Sequence, residues 1–232
     1  MNQDLAQVIT YYSTKKHSEL AELLIGKSKD NLISVLMDLI TTYINDKNSS
    51  TLREFITVTI AGYNHSEGKI GYNGYKQNSI IKGKAILCEA KPKNLDTEEL
   101  EKYKQGLRKT KPSKLNGGGN FTDYTFARFE KDKKENPYML ISGFIDGKLI
   151  YILEFPFNCP SFLSNLKKHL EKRFPGGDKL GQYLRSASFD YKNYIGYKNL
   201  KTIFILKKQE LSNYKEMIVN DFFEFLYKKT SK

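Results

Sequence analysis

Glu89 and Lys91 are the two residues of this chain whose types and spacing most directly suggest a reaction. They close an apolar run, Ala85-Ile86-Leu87-Cys88-Glu89-Ala90-Lys91, that is followed by Pro92. Such a run reads as a buried strand, and on a strand residues two apart point to one face. A carboxylate and an ammonium presented together are parts that phosphodiester cleavage uses. That reaction needs a metal to activate water and to neutralise charge on the leaving and non-bridging oxygens. Hard divalent ions take oxygen ligands, and a nearby lysine can orient or deprotonate the water. Two charges at a strand end are costly to bury unless they pair with each other or with ligands. Taken alone, E-x-K is common, and its plainer reading is an ordinary surface ion pair at a strand end.

The elements that must position this pair follow from periodicity and turn chemistry. Leu5, Val8, Ile9 and Tyr12, continued by Leu20, Leu23 and Leu24, repeat at helical spacing, and Asp30 is placed to cap a second helix through Leu32–Ile40. Thr51 begins a third helix after the polar break at residues 46–50. Residues 1–50 read as a helical annex, a scaffold or dimerisation unit, and 51–232 as the core. Gly68–Tyr75 is turn-rich and extended, and Ile80–Ile81 is a short apolar piece. Pro92 lacks a ladder donor, so regular pairing is expected to stop there. Lys102–Lys114 is a basic connector with six Lys/Arg and no acid, and Asn116–Asn120 reads as a flexible turn. Thr122 or Asp123 caps a helix to about Asn136. Met139–Ile145 and Lys148–Phe155 are strands joined at Asp146-Gly147, the strongest hairpin signal in the chain. Phe162–Phe174 is an amphipathic helix, Arg185–Tyr197 irregular strand, Lys201–Leu206 a strand and Glu210–Lys228 a closing helix. The class is α/β or α+β: a mixed central sheet flanked by helices, folded as one compact unit.

Across roughly residues 54–155, the order of an apolar strand, Glu89-Ala90-Lys91, a basic segment, a helix and another buried strand resembles the PD-(D/E)XK nuclease superfamily. Within it the likeness is to type II restriction endonucleases. The resemblance implies a restriction-endonuclease-like core, Mg²⁺ as cofactor, double-stranded DNA as substrate and a homodimer. It also implies that Glu89 binds the metal and Lys91 serves the attacking water. An earlier acid is required near the start of the preceding strand, and the family spacing points to Asn73, in Gly71-Tyr72-Asn73-Gly74-Tyr75. That is an amide. Either Glu67 is the metal ligand and Asn73 a turn residue before Gly74, or Asn73 stands where an active enzyme has Asp. Glu54, from the preceding helix, is the assisting acid the family often adds.

The charge distribution agrees with a polyanion partner without requiring one. Residues 1–100 hold 12 Lys/Arg and 12 Asp/Glu, whereas residues 101–232 hold 26 and 14 and carry the whole net charge of +12. Lys93, Lys111 and Lys114 suit phosphate contacts, and Asn116, Asn120, Arg128, Arg185 and Asn193 suit base edges; a solvated lysine-rich surface is the plainer reading. Gly117-Gly118-Gly119 lacks the Lys-Ser/Thr ending of a P-loop, which disfavours a nucleotide cofactor. His65 is a candidate base but more simply a surface residue, and Glu154 a third ligand but more simply a rim charge. Without a CxxC, Cys88 and Cys159 read as reduced thiols of a cytoplasmic protein. No run is long enough to span a membrane.

Overall fold

The structure, a computed structural model, describes residues 3–45, 50–66, 71–77 and 83–230. The expected residues 46–49, Glu67, Gly68–Ile70 and Ile80–Ile81 lie outside these. The architecture is a mixed α/β fold, a central sheet flanked by helices.

Helices α1 (Gln3–Thr14), α2 (His17–Ile25) and α3 (Lys29–Asn45) form the annex. The first helical stretch breaks at Lys15-Lys16 rather than running on to Leu24, and Asp30 falls inside the first turn of α3 rather than capping it. α4 (Thr51–Ile60) leads into β1 (Asn64–His65), β2 (Gly74–Lys76) and β3 (Ile86–Leu95). After them come α5 (Thr97–Lys104), β4 (Gly119–Tyr124), α6 (Phe126–Glu135), β5 (Tyr138–Ile145), β6 (Lys148–Pro156) and α7 (Pro160–Arg173). The chain closes with β7 (Leu184–Phe189), β8 (Lys201–Ile205), α8 (Lys208–Ser212) and α9 (Asn220–Lys229).

The large sheet has the order β1-β2-β3-β5-β6-β8, with β3 and β5 parallel and every other pair antiparallel. β4 and β7 form a separate two-stranded sheet. The register sets two faces. Ala90, Leu140 and Glu154 stand in one row, and Glu89, Met139 and Phe155 in the next. Cys88, Ala90 and Leu140 pack under Val58, Ala61 and Tyr63. The annex extends that layer, for Leu5, Ile9 and Val35 share a core with Phe55, Phe144 and Ile152. On the opposite face Met139, Ile141, Leu153 and Phe155 join Phe121, Phe162, Phe189 and Phe222 in the largest apolar cluster. Within the sheet–helix interface, the hydroxyls of Thr57 and Ser142 are 2.6 Å apart and buried, tying α4 to β5.

Several boundaries differ from the sequence reading, each for a local reason. β3 does not stop at Pro92; its pairing with β5 continues to Leu95 opposite Ile145. The Ala90 N–H points to the β2 side, where it meets Asn73. Pro92, two residues on, therefore lacks its N–H on that same side, beyond the last β2 pair at Cys88. Gly119–Tyr124 is a strand, so the following helix begins later and is capped by Thr125, whose hydroxyl accepts from the Arg128 N–H. The basic connector begins inside α5, where Asp96 caps the helix and Lys102 and Lys104 pair with Glu98, Glu99 and Glu101. The closing helix is split because Leu115 intervenes: its N–H donates to the Met217 carbonyl and its carbonyl accepts from Val219. Nor is the triple glycine a flexible turn. Gly117, Gly118 and Gly119 are buried, and a Cβ at Gly119 would lie 2.7 Å from Phe189 Cζ and 2.8 Å from Lys91 Cβ.

Candidate active site

β3 presents Glu89, Lys91 and Lys93 on one face by simple alternation. Lys91 Nζ lies 2.6 Å from Glu89 Oε1 and 4.6 Å from the centroid of the Phe121 ring. Glu89 is 5 % exposed, and Arg128 Nη2 approaches the same oxygen at 3.5 Å. A buried carboxylate thus sits between two cations, which offsets its desolvation.

Asn73 occupies the neighbouring position. Gly74 pairs with Cys88, so the residue before Gly74 falls beside Glu89. Its Oδ1 accepts from the Ala90 N–H at 2.8 Å, and its Nδ2 donates to Glu54 Oε2 at 3.0 Å. The donor on one side and the acceptor on the other fit an amide and no carboxylate. Glu54, from α4, therefore reaches the strand carrying Glu89 and Lys91 through Asn73. The sequence brings these four together from α4, the entry to β2 and β3; Glu67 lies outside the described residues.

Three residues outside the expected set, Asp132, Tyr72 and Tyr124, complete the surroundings. Asp132, 4 % exposed on α6, accepts from the Tyr72 hydroxyl at 3.0 Å and the Tyr124 hydroxyl at 3.1 Å. Burial pushes its carboxyl above the ordinary range, and the hydrogen bond from Tyr72 and the charge of Arg128 oppose that rise. Burial next to Asp132 likewise raises both tyrosine hydroxyls. Arg128 Nε is 3.8 Å from Asp132 Oδ2, with its guanidinium carbon 5.6 Å from the Tyr124 ring centroid and 5.8 Å from that of Phe121. The four-residue spacing of Arg128 and Asp132 on a helix is the available sequence signal; the tyrosines, 60 and eight residues from Asp132, carry none.

The remaining candidates divide. Lys93 donates to Asn116 Oδ1 at 3.0 Å, and burial lowers its pKa while Asp190 pulls it back up. Asn116 also accepts from Gly118 N–H, so its carbonyl oxygen serves the local turn. Asn120 pairs with the Ser186 hydroxyl, while Arg185 and Lys111 are exposed and Lys114 is half-buried. Asn193 caps its own turn by accepting from the Asp190 N–H. The half-buried His65 ring packs edge-on to Phe55 at 5.5 Å. Glu154 is not a rim charge. It is 3 % exposed, stands on the face opposite Glu89, and accepts from Tyr63 at 2.9 Å and Lys201 at 3.3 Å. Cys88 and Cys159 are buried free thiols.

Among the described residues, no group of three or more His, Cys, Asp or Glu gathers as a metal cage. The donors present, the carboxylates of Glu89 and Glu54 and the amide oxygen of Asn73, are all oxygens. Mg²⁺ is commonly held by one or two carboxylates, with water and substrate phosphate filling the other positions, so this set fits such an ion. No helix of the described residues is long and apolar enough to cross a membrane. No protein-family model matches the chain, and no curated protein matches it.

Proposed function

We propose that the chain is a Mg²⁺-dependent endonuclease of double-stranded DNA, of the PD-(D/E)XK kind and the type II restriction class, acting in the cytoplasm without a nucleotide cofactor. The observation that carries this reading is the Glu89–Lys91 pair, 2.6 Å apart on one face of β3. Its setting supports it: α4 and β2 precede the strand, α6 and the parallel β5 follow it, and Asn73 stands beside Glu89 where the resemblance implies the earlier acid.

Glu89, with Asn73 and Glu54 beside it, would hold the ion, which when bound supplies Lewis-acid polarisation and neutralises charge at the phosphate. Lys91, paired with Glu89, orients the attacking water and offsets charge on a non-bridging oxygen. One water is consumed. Its oxygen bonds to phosphorus as the P–O3′ bond breaks, one proton ends on the departing 3′ oxygen and the other passes to solvent. The products are a 3′ hydroxyl and a 5′ phosphate. Two copies suit a palindromic duplex, and the exposed stripe of Ile33, Leu36 and Met37 on α3 supports a homodimer through the annex. Leu36→Glu should convert a dimer to a monomer in sedimentation velocity.

The test is incubation of unmethylated plasmid DNA with the chain and Mg²⁺. Discrete fragments are expected from the wild type and none from Lys91→Ala or Glu89→Gln. A second reading, a nucleic-acid-binding protein on the same core that cuts nothing, draws on Asn73, whose amide is wired to an acceptor in Glu54. Intact DNA together with a salt-sensitive, Mg²⁺-independent gel shift would establish that reading instead.

A further inference from the structure

Arg128 differs from the other cations of the site in what it leaves unused. Lys91 is committed to Glu89 at 2.6 Å, and Lys93 to Asn116 at 3.0 Å. Arg128 lies between two buried carboxylates, Glu89 at 3.5 Å and Asp132 at 3.8 Å, and its side chain makes no hydrogen bond among the described residues. Its guanidinium side chain is 40 % exposed, whereas those of Glu89 and Asp132 are 7 % and 6 %. A planar group of five donors is therefore held in place by charge and by two aromatic rings, part-exposed and facing the same Glu89 oxygen as the Lys91 ammonium. That is the form in which arginine meets a phosphate with two parallel hydrogen bonds. Asp132 is fixed in turn. Each of its oxygens accepts from a tyrosine, Tyr72 from the entry to β2 and Tyr124 from the end of β4. One buried carboxylate thus joins three elements and points the arginine that α6 carries.

We infer that Arg128 grips the phosphate under attack rather than a base edge, and that Asp132, fixed by Tyr72 and Tyr124, is the positioning residue that aims it. This rests on the nuclease reading for its substrate. A phosphate contact and a base contact separate cleanly: the first positions the nucleic acid and the second specifies sequence.

The experiment compares the wild type, Arg128→Ala, Asp132→Asn and the double variant as full-length chains. Three readouts are taken: single-turnover cleavage with Mg²⁺, binding to two unrelated DNA duplexes in EDTA across a salt series, and urea unfolding. Arg128→Ala should slow cleavage about 100-fold, as loss of a charge-stabilising donor does. It should weaken both duplexes by the same factor and reduce the log–log salt slope by about one. Asp132→Asn should unfold at the same or higher urea yet cleave about tenfold slower, and should add nothing in the Arg128→Ala background, because it acts through that residue. A merely structural Asp132 would instead lose stability and rate together. The inference is overturned if Arg128→Ala relaxes sequence preference with an unchanged salt slope. It is overturned for Asp132 if that variant cleaves normally or slows the Arg128→Ala chain further. If the wild type cuts nothing, the nuclease reading falls, while the salt slope and the duplex comparison still decide Arg128; a wild type that binds neither duplex overturns both.

Discussion

Asn73 is the residue on which the chemistry turns. Its two hydrogen bonds ask for a donor toward Glu54 and an acceptor toward the Ala90 N–H. Aspartate meets only the second demand and places a carboxylate against Glu54. Asn73→Asp should therefore lower stability in EDTA by about 1–3 kcal/mol, the scale of a lost and now repulsive polar contact. Mg²⁺ should raise the melting temperature of this variant more than that of the wild type, since a cation between the two carboxylates relieves the repulsion. Equal melting in EDTA, with no added response to Mg²⁺, would mean that the amide holds nothing there. Asp132 makes a different, pH-dependent prediction. Its folded pKa is raised by burial, so between the ordinary value of about 3.9 and the raised one the native chain keeps a proton that the unfolded chain has lost. Stability then falls as pH rises through that window. Urea midpoints from acid to neutral pH should show wild type gaining on Asp132→Asn toward the acid end, and the variant level with it or ahead at neutral pH. A flat difference would place the Asp132 pKa at its unfolded value.

β4 shows how closely one element can govern another. Gly119 leaves no room for a methyl between Phe189 and the Lys91 Cβ. Gly119→Ala should cost about 1–3 kcal/mol by overpacking and displace Lys91, so the denaturant midpoint and the cleavage rate should fall together. An unchanged midpoint would show that β4 yields easily. How far these elements were legible follows from what forms them. The Asp146-Gly147 turn adopts positive φ at both residues, 50° and 78°, as a two-residue hairpin requires, and it was read directly. The apolar run marks β3, but not its end, because Pro92 looks like a stop until the open side of the strand is known. β4 and α5 carry no such local signal, for opposite reasons. Gly119–Tyr124 opens on glycine and pairs with β7, sixty to seventy residues away, while α5 has no buried residue to mark an apolar face. The site divides the same way: Glu89 and Lys91 share a strand and were legible as a pair, whereas the Tyr72–Asp132–Tyr124 group is assembled by tertiary contact.

Over the whole molecule, a net charge of +12 resides entirely in residues 101–232, and the elements covering the Glu89 face of the sheet, β4, α6, α7 and β7, all fall within them. A face of that kind engaging about six phosphates should lose on the order of 10³ in duplex affinity between 50 and 200 mM salt. Fluorescence anisotropy against a short duplex measures this, and a salt-independent signal would refute electrostatic docking. The class of fold, helices about a mixed sheet, was legible from the order of patterns along the chain. The separate β4–β7 sheet was not, because its partners are distant in sequence. One consequence lies in the parallel ladder itself. Cys88 pairs with Tyr138, fifty residues on, whereas the β5–β6 hairpin closes across two. Loop closure makes the short contact early and the long one late. The hairpin is then a template on which β3 is laid down, and Glu89 and Lys91 reach their neighbours among the last steps of folding. A chain still emerging from synthesis carries the letters of its chemistry well before it has the means to perform it.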